Sequence, residues 1–179
     1  MWSLLLTAGL SFFGSRNAGM QDSNISKEDT VLLYKKDTLL ITGTAPAILS
    51  CNFSAASHAQ YNSGFRTLLL LENPTVVTLP EGVYELYITK QLPRINDLSF
   101  SQPAFVTVLD MYSFTAPAAK KHLEVDISEH IKKLFLQNKA LSLLYISVRF
   151  GPIRLPDGTY SSKAGEVHFT GIKIVQVKN

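Results

Sequence analysis

Cysteine is nearly absent from this sequence: Cys51 is the one cysteine among 179 residues. A single thiol excludes an intramolecular disulfide, and it excludes a zinc site built from several thiolates at short spacing. Cys51 lies in the apolar run of residues 47–53. This setting predicts a buried structural thiol rather than a nucleophile, because a free cysteine usually packs as a small hydrophobic side chain.

Charged residues are also scarce, at 17% of the chain, and the formal net charge is only +3, whereas hydrophobic residues make up 46%. This balance is typical of a globular chain and excludes an extensively disordered one. A nucleic-acid surface would show a basic stripe with interleaved aromatic residues. The lysines and arginines here are scattered, so no nucleic-acid partner is predicted. The lysine pairs at residues 35–36, 120–121 and 132–133 are interpreted as solvated surface.

Familiar catalytic motifs are missing. The sequence has no G-x-S-x-G, P-loop or G-x-G-x-x-G pattern, and its histidines lack the H-x-x-x-H or H-E-x-x-H spacing of metal sites. Asp110, Asp126 and Asp157 could ligate a structural calcium ion, but a helix cap explains Asp126 and a turn explains Asp157 more simply. We therefore predict a protein that is not an enzyme and carries no cofactor or metal. The histidines are His58, His122, His130 and His168.

The most apolar stretch, residues 1–14, is shorter than the run of about 20 apolar residues that spans a membrane. No lysine or arginine precedes Arg16 and no A-x-A-like cleavage site follows, as a secretory signal peptide would require. We interpret residues 1–19 as a docking peptide that buries its apolar side chains against a partner, and residues 20–29 as a polar linker. A weak signal peptide is the alternative. The predicted partner-binding residues are Trp2, Leu4, Leu5, Leu6, Leu10, Phe12 and Phe13.

Strand patterns dominate the chain from Thr30 onward. Residues 31–34 and 38–42 are separated by a spacing that is typical of a hairpin. Residues 65–71 form an almost continuous apolar run, as expected of a buried strand. Turn residues bound further strand patterns at residues 47–53, 76–79, 83–89, 105–114, 123–125, 143–150 and 167–177.

One helix is predicted, at residues 127–137. Asp126 and Glu129 have the D-x-x-E spacing of a capping box at its start. Apolar residues then recur at helical spacing, so that they share one face, which should be buried against a sheet. These residues are Ile127, Ile131, Leu134 and Phe135.

Many short strands with a single helix predict an all-β fold, namely an antiparallel jelly-roll β-sandwich that spans residues 30–179 as one domain. The helix should plug one end or edge of it. Aromatic residues near strand ends suit a sugar-binding platform, because sugars stack on exposed rings; the alternative is that these rings cap the core. The candidate sugar-binding residues are Tyr61, Tyr112, Phe114, Tyr160 and Arg149.

The order of these patterns over residues 47–178 resembles the DNRLRE family of carbohydrate-binding-module-like domains. Residues 66–69 (RTLL) and 84–88 (YELYI) stand where that family has two early strand motifs. Residues 125–131 (VDISEHI) match its helix start, and residues 160–164 (YSSKA) match its late loop. The resemblance implies a non-catalytic jelly roll, often displayed on surfaces or appended to polysaccharide-active enzymes. The N-terminal segment separately resembles N-termini of bacteriophage virion proteins that pack inside a larger assembly.

We therefore predict a non-enzymatic structural or attachment protein, anchored through its N-terminal peptide to other protein subunits of a virion-like or surface-associated assembly. A surface glycan is a second expected partner, and no membrane span is expected. The alternative is a secreted carbohydrate-binding module, exported by a weak signal peptide. The mass of the mature protein distinguishes the two, because export would remove the N-terminal peptide.

Overall fold

The computed structural model describes residues 30–53, 64–94, 104–111, 114, 122–137 and 143–178. Within these ranges the chain forms eleven strands and one helix, so the predicted all-β fold is confirmed. The helix, α1 (Ser128–Gln137), lies between β8 and β9. The strands are β1 (Thr30–Lys36), β2 (Leu39–Thr42), β3 (Ala47–Asn52), β4 (Phe65–Glu72), β5 (Thr75–Thr78), β6 (Gly82–Thr89), β7 (Phe105–Leu109), β8 (His122–Asp126), β9 (Leu143–Pro152), β10 (Glu166–Phe169) and β11 (Gly171–Lys178).

The strands pair antiparallel in three sheets. Sheet A has the order β1-β11-β4-β8, sheet B has the order β2-β10-β5, and sheet C has the order β3-β9-β6-β7. If the three strands of sheet B are set aside, the other eight strands can be renumbered 1 to 8 along the chain. In these numbers the strand order is 1-8-3-6 in sheet A and 2-7-4-5 in sheet C. This is the strand order of a jelly roll, as the sequence predicts.

Sheets A and B are two parts of one bent layer. The pairing of β1 with β11 ends at Lys36 and Ile172, and the pairing of β2 with β10 begins at Leu39 and Phe169. The pairing of β4 with β11 passes in the same way into that of β5 with β10. Three segments of the chain therefore cross from sheet A to sheet B at one level, and the layer bends there.

This bend corrects two strand predictions. Residues 31–34 and 38–42 do not pair as a hairpin, because β1 and β2 follow one another along β11 and β10. Residues 167–177 are two strands rather than one, because Thr170 interrupts them and its backbone N–H donates to Glu72 O over 3.1 Å.

The main hydrophobic core lies between this bent layer and sheet C. Because successive side chains of a strand point to opposite faces, every second residue of the central strands enters it. Leu109, at the end of β7, and Phe114, which is predicted to end this strand but lies beyond it, are also buried there. Fully buried members from the two layers include Ile41, Leu49, Leu69, Leu71, Tyr84, Leu86 and Phe169.

The helix packs against the sandwich beside β4. Ile127 N donates to Thr67 O over 2.9 Å, and Ser128 Oγ accepts a hydrogen bond from Thr67 N over 2.8 Å. Ile131 is buried in the main core and Leu134 packs against it, as predicted, whereas the Phe135 side chain lies outside the described part of the structure. Within the described ranges, no helix is long and apolar enough to cross a membrane.

The start of the helix differs from the predicted capping box by one position. Asp126 is the last residue of β8, and its Oδ1 accepts a hydrogen bond from Ser128 N over 2.9 Å. Glu129 is not the reciprocal partner; its carboxylate lies 3.7 Å from Lys132 Nζ in an i,i+3 ion pair. The Asp126 carboxylate still satisfies a free N–H group of the first turn, which is the physical role of a cap.

Replacing Ile131 with alanine tests whether the helix belongs to the core. Ile131 is 1% exposed, so we expect the Ile131→Ala change to lower the free energy of unfolding by about 2–4 kcal/mol, since the cavity cost exceeds the better helix propensity of alanine. Lys132→Ala, on the exposed side of the same turn, is the control and should stay within about 0.5 kcal/mol of wild type. A loss below about 1 kcal/mol for Ile131→Ala in urea titrations would make the helix peripheral.

Candidate functional site

The predicted partner-binding residues lie outside the described residues, as do the rest of the predicted docking peptide and linker, residues 1–29. These predictions concern Trp2, Leu4, Leu5, Leu6, Leu10, Phe12 and Phe13. What the structure does describe is their attachment point, because Thr30 is the first residue of β1, and β1 is an edge strand of sheet A.

A buried ion pair lies on the outer face of sheet C, the face turned away from the core. Glu85 of β6 and Arg149 of β9 are directly opposite each other in register. Arg149 Nη2 and Nε lie 2.9 and 3.2 Å from Glu85 Oε2, so both nitrogens donate to the same carboxylate oxygen. Glu85 is only 1% exposed, whereas the Arg149 side chain retains 22% exposure. The pair therefore holds one charge almost entirely out of water.

Tyr87 completes this cluster. Its hydroxyl donates a hydrogen bond to Glu85 Oε2, and the Arg149 guanidinium lies 5.8 Å from the centre of its ring. Burial raises the pKa of Tyr87, and the hydrogen bond and negative charge of Glu85 raise it further, while Arg149 acts in the opposite direction. The ring of Phe105 also packs edge-on against that of Tyr87, at 5.7 Å between centroids. We call Glu85, Tyr87 and Arg149 the polar cluster.

The surroundings bury the Glu85 end of the polar cluster. A Cβ atom at Gly151 would overlap the Glu85 carboxylate, so glycine is needed for the strand to pass this close. Ser147, opposite Tyr87, is fully buried, and within the described part of the chain its hydroxyl oxygen has no hydrogen-bond partner. A carboxylate held by a guanidinium and a phenol, and shielded in this way, is built to join two strands and is not positioned as an accessible acid or base.

The five candidate sugar-binding residues are not gathered at one place by the described structure. Tyr61 and Tyr112 lie outside the described residues. Phe114 is 7% exposed and packs in the main core, so little of its ring faces solvent. Tyr160 is 68% exposed on the loop between β9 and β10, while Arg149 binds Glu85 on sheet C. The exposed ring of Tyr160 is the part of this set that could stack on a sugar.

The loop that carries Tyr160 is braced by a turn within it and by a hydrogen bond from β6. Asp157 Oδ1 accepts hydrogen bonds from Thr159 N and Oγ1 at 2.9 and 2.7 Å, which is the turn role predicted for it. The hydroxyl of Tyr84 reaches out of the core and donates to Ala164 O. Burial raises the pKa of Tyr84 to about 12. The loop therefore presents Tyr160 from a fixed frame rather than from a free strand end.

Two of the three described histidines, His130 and His168, have separate side-chain contacts, and His122 is exposed at the start of β8. His168 Nε2 lies 2.6 Å from Glu166 Oε1, and His130 Nε2 lies 2.9 Å from Phe105 O. His58 lies outside the described residues. In the ranges that the structure covers, no three His, Cys, Asp or Glu side chains come together closely enough to hold a metal ion.

Cys51 is fully buried in β3. Burial raises the pKa of the Cys51 thiol from 9.0 to about 12, and the Tyr34 hydrogen bond and the Lys36 charge offset only part of this. A thiol with so high a pKa stays protonated at neutral pH, and the thiolate is the reactive form. The predicted structural role for Cys51 agrees with this placement.

The raised pKa of Cys51 makes stability depend on alkaline pH. Between pH 9 and pH 12 the thiol is ionised in the unfolded chain but protonated in the folded one, so the unfolded state binds fewer protons and stability falls as pH rises. We expect the free energy of unfolding of wild type to fall by about 1.4 kcal/mol per pH unit more steeply than that of Cys51→Ala in this window. Parallel curves from denaturant titrations at pH 8 to 11 would contradict this.

No family model matches the chain, and no curated protein matches it. The fold and the geometry of the site are therefore what the structure itself establishes. The chain is a jelly-roll β-sandwich with a closed polar cluster on the outer face of one sheet and an exposed tyrosine on one loop.

Proposed function

We propose that this chain is a non-enzymatic structural or attachment protein whose jelly-roll body is held in a larger assembly, virion-like or surface-associated, by the apolar peptide at residues 1–19. The observation that carries the proposal is the attachment of this peptide at Thr30, the start of edge strand β1. A peptide that leaves from a sheet edge through a ten-residue linker can reach about 33–36 Å, well beyond the body. Its apolar side chains form a surface that a free monomer rarely leaves in water.

The polar cluster supports a structural role for the body. Glu85 is the most deeply buried charged residue among the described residues. The two side chains that contact its carboxylate, those of Tyr87 and Arg149, come from the same sheet. An accessible reacting group would need a path to substrate, whereas this carboxylate links β6 to β9. Such a cluster fixes the register of β6 and β9, which suits a structural protein that keeps a single conformation.

The test of this function uses two adjacent substitutions in the peptide. We expect Leu10→Asp to prevent incorporation of the chain into the assembly of its source, because a charge replaces a buried anchor. Ser11→Asp adds the same charge one residue later, outside the set of predicted anchors, and should allow incorporation. Co-sedimentation of each tagged chain with the particle measures the effect, and a circular dichroism spectrum verifies the folded body. Normal incorporation of Leu10→Asp would refute the docking role.

A secreted carbohydrate-binding module is the second candidate, and the exposed ring of Tyr160 favours it. An aromatic ring that is 68% exposed and held by a fixed loop can stack on a sugar. In that function the mature protein lacks the N-terminal peptide, and Tyr160→Ala reduces retention of the protein on a polysaccharide gel. The intact mass of the protein from its source decides between the two functions.

A further inference from the structure

A second apolar cluster lies on the outer face of sheet A, on the side away from the main core. Leu69, Leu71, Ile172 and Ile174 point into the core, so the alternate residues of β4 and β11 point outward. These outward residues form a separate cluster, which we call the outer cluster: Leu68, Leu70, Val175 and Val177.

The outer cluster is buried although it lies on an outer face. Leu68 is 0% exposed and Val175 is 4% exposed, whereas Leu32, next to Val175 on edge strand β1, is 53% exposed. Side chains on an open sheet face keep contact with water, as Leu32 does. Among the described residues, the apolar members of the cluster all belong to β4 and β11 themselves. A cover from elsewhere is therefore needed over Leu68 and Val175.

The composition of the remaining stretches points to one cover. Residues 54–63 (SAASHAQYNS), 112–113 (YS), 115–121 (TAPAAKK) and 138–142 (NKALS) are short and largely polar or small, and residues 95–103 (INDLSFSQP) carry three large apolar side chains beside an acidic one. Residues 1–14 (MWSLLLTAGLSFFG) contain no charged side chain and a dense set of large apolar ones. Such a segment gains most from an apolar face, because burial of apolar area is what stabilises the contact.

The chain also enters sheet A beside the outer cluster. Thr30, the first residue of β1, is paired with Val177, which belongs to the outer cluster. Neighbouring strands lie about 4.8 Å apart, so β4 is about 10 Å from β1 across the face. The ten residues 20–29 can span up to about 33–36 Å. The linker is therefore long enough to lay residues 1–14 across β11 and β4.

We propose that residues 1–14 fold back onto the outer cluster of their own chain and cover the outer face of sheet A while the protein is free. This goes beyond the proposed function, because it concerns the chain before it meets an assembly. The same apolar side chains then have two alternative sites, one on sheet A and one on the partner. The cluster on sheet A keeps the peptide out of water until docking.

The chain offers natural probes for a test. Trp2 is its one tryptophan, and Cys51, its one cysteine, is fully buried with a raised pKa. A cysteine introduced by Leu32→Cys can therefore be labelled selectively with bimane, a fluorophore that tryptophan quenches on contact. Leu40→Cys is the matched control, because Leu40 is 52% exposed against 53% for Leu32 but lies on β2 in sheet B.

In the isolated full-length protein we expect the label at Leu32→Cys to be dimmer than in the same variant carrying Trp2→Phe, and we expect no such difference at Leu40→Cys. Val175→Glu should restore the brightness at Leu32→Cys, whereas Val77→Glu, at an exposed valine of β5, should leave the quenching unchanged. The comparison with Trp2→Phe does not require Val175→Glu to fold.

Two results would overturn the inference. Equal brightness with and without Trp2 would mean that the peptide does not reach sheet A. Quenching that disappears on dilution would mean that a second copy, rather than the chain itself, supplies the cover. These readouts are independent of incorporation into an assembly, so failure here leaves the docking function standing, and failure of Leu10→Asp to block incorporation leaves this inference standing.

Discussion

Replacing Arg149 with methionine is expected to lower the free energy of unfolding by about 3–5 kcal/mol, because it leaves a buried charge without its partner. Glu85 is 1% exposed, and both Arg149 nitrogens in contact with it donate to Oε2. Methionine keeps most of the apolar stem of arginine, so the loss reports the missing charge rather than a cavity. Urea unfolding of wild type and variant at pH 7 measures it.

Replacing both partners shows how much of the loss in Arg149→Met comes from leaving the Glu85 charge buried without a partner. In the double variant Glu85→Gln/Arg149→Met the buried charge is gone and an oxygen remains for the Tyr87 hydroxyl, so most of the loss should be recovered. Lys163→Met breaks a surface ion pair with Glu81 on the same molecule and should have no measurable effect. A double variant as unstable as Arg149→Met alone would show that the arginine acts through packing.

Replacing Gly165 with alanine is the second large expected loss, of about 2–5 kcal/mol. Gly165 has a φ of +72°, a region that costs an L-residue about 1–2 kcal/mol. Its Cβ would also lie 2.5 Å from Thr78 O and 2.6 Å from Pro80 N. These are backbone atoms that cannot rotate away, so the contact adds about 1–3 kcal/mol of overpacking.

Gly43 provides the matched control for Gly165. It has a φ of +65°, but a Cβ there meets nothing within 4 Å. Gly43→Ala should therefore carry only the conformational cost of about 1–2 kcal/mol. The difference between the two melting curves isolates the close approach of the loop after β9 to the β5–β6 connection. Equal losses in the two variants would mean that the loop moves aside without cost.

The sequence predicts the element types well because they depend on local alternation of apolar residues. The single helix and its buried Ile131 follow from helical spacing, and the jelly roll follows from many short strands around one helix. The bend between sheets A and B does not follow, because it depends on Thr170 meeting Glu72 across the sheet. Contacts between distant segments leave no local pattern.

The polar cluster shows the same limit at the level of a site. In the sequence Glu85 stands as one acidic residue in the strand pattern VYELYIT, and Arg149 as a polar residue able to contact a sugar. Only the register of β6 with β9 places them opposite each other. Each of the two largely apolar strands carries one charged residue, and the two charges are of opposite sign. This is the one signal in the sequence that could have paired Glu85 with Arg149, since a buried charge needs a partner.

The position of β11 determines when this protein can fold during synthesis. β11 lies between β1 and β4 in sheet A, so the first and the last of the described strands along the chain are neighbours. At a synthesis rate of about 5–20 residues per second, β1 stays unpaired for roughly ten seconds or more. Until then β4 also lacks one of its two neighbours, and apolar edges are open to chaperones and to other nascent chains. Closure of sheet A therefore waits until β11 has been made, and a ribosome that stops short of β11 releases a chain without the centre of sheet A.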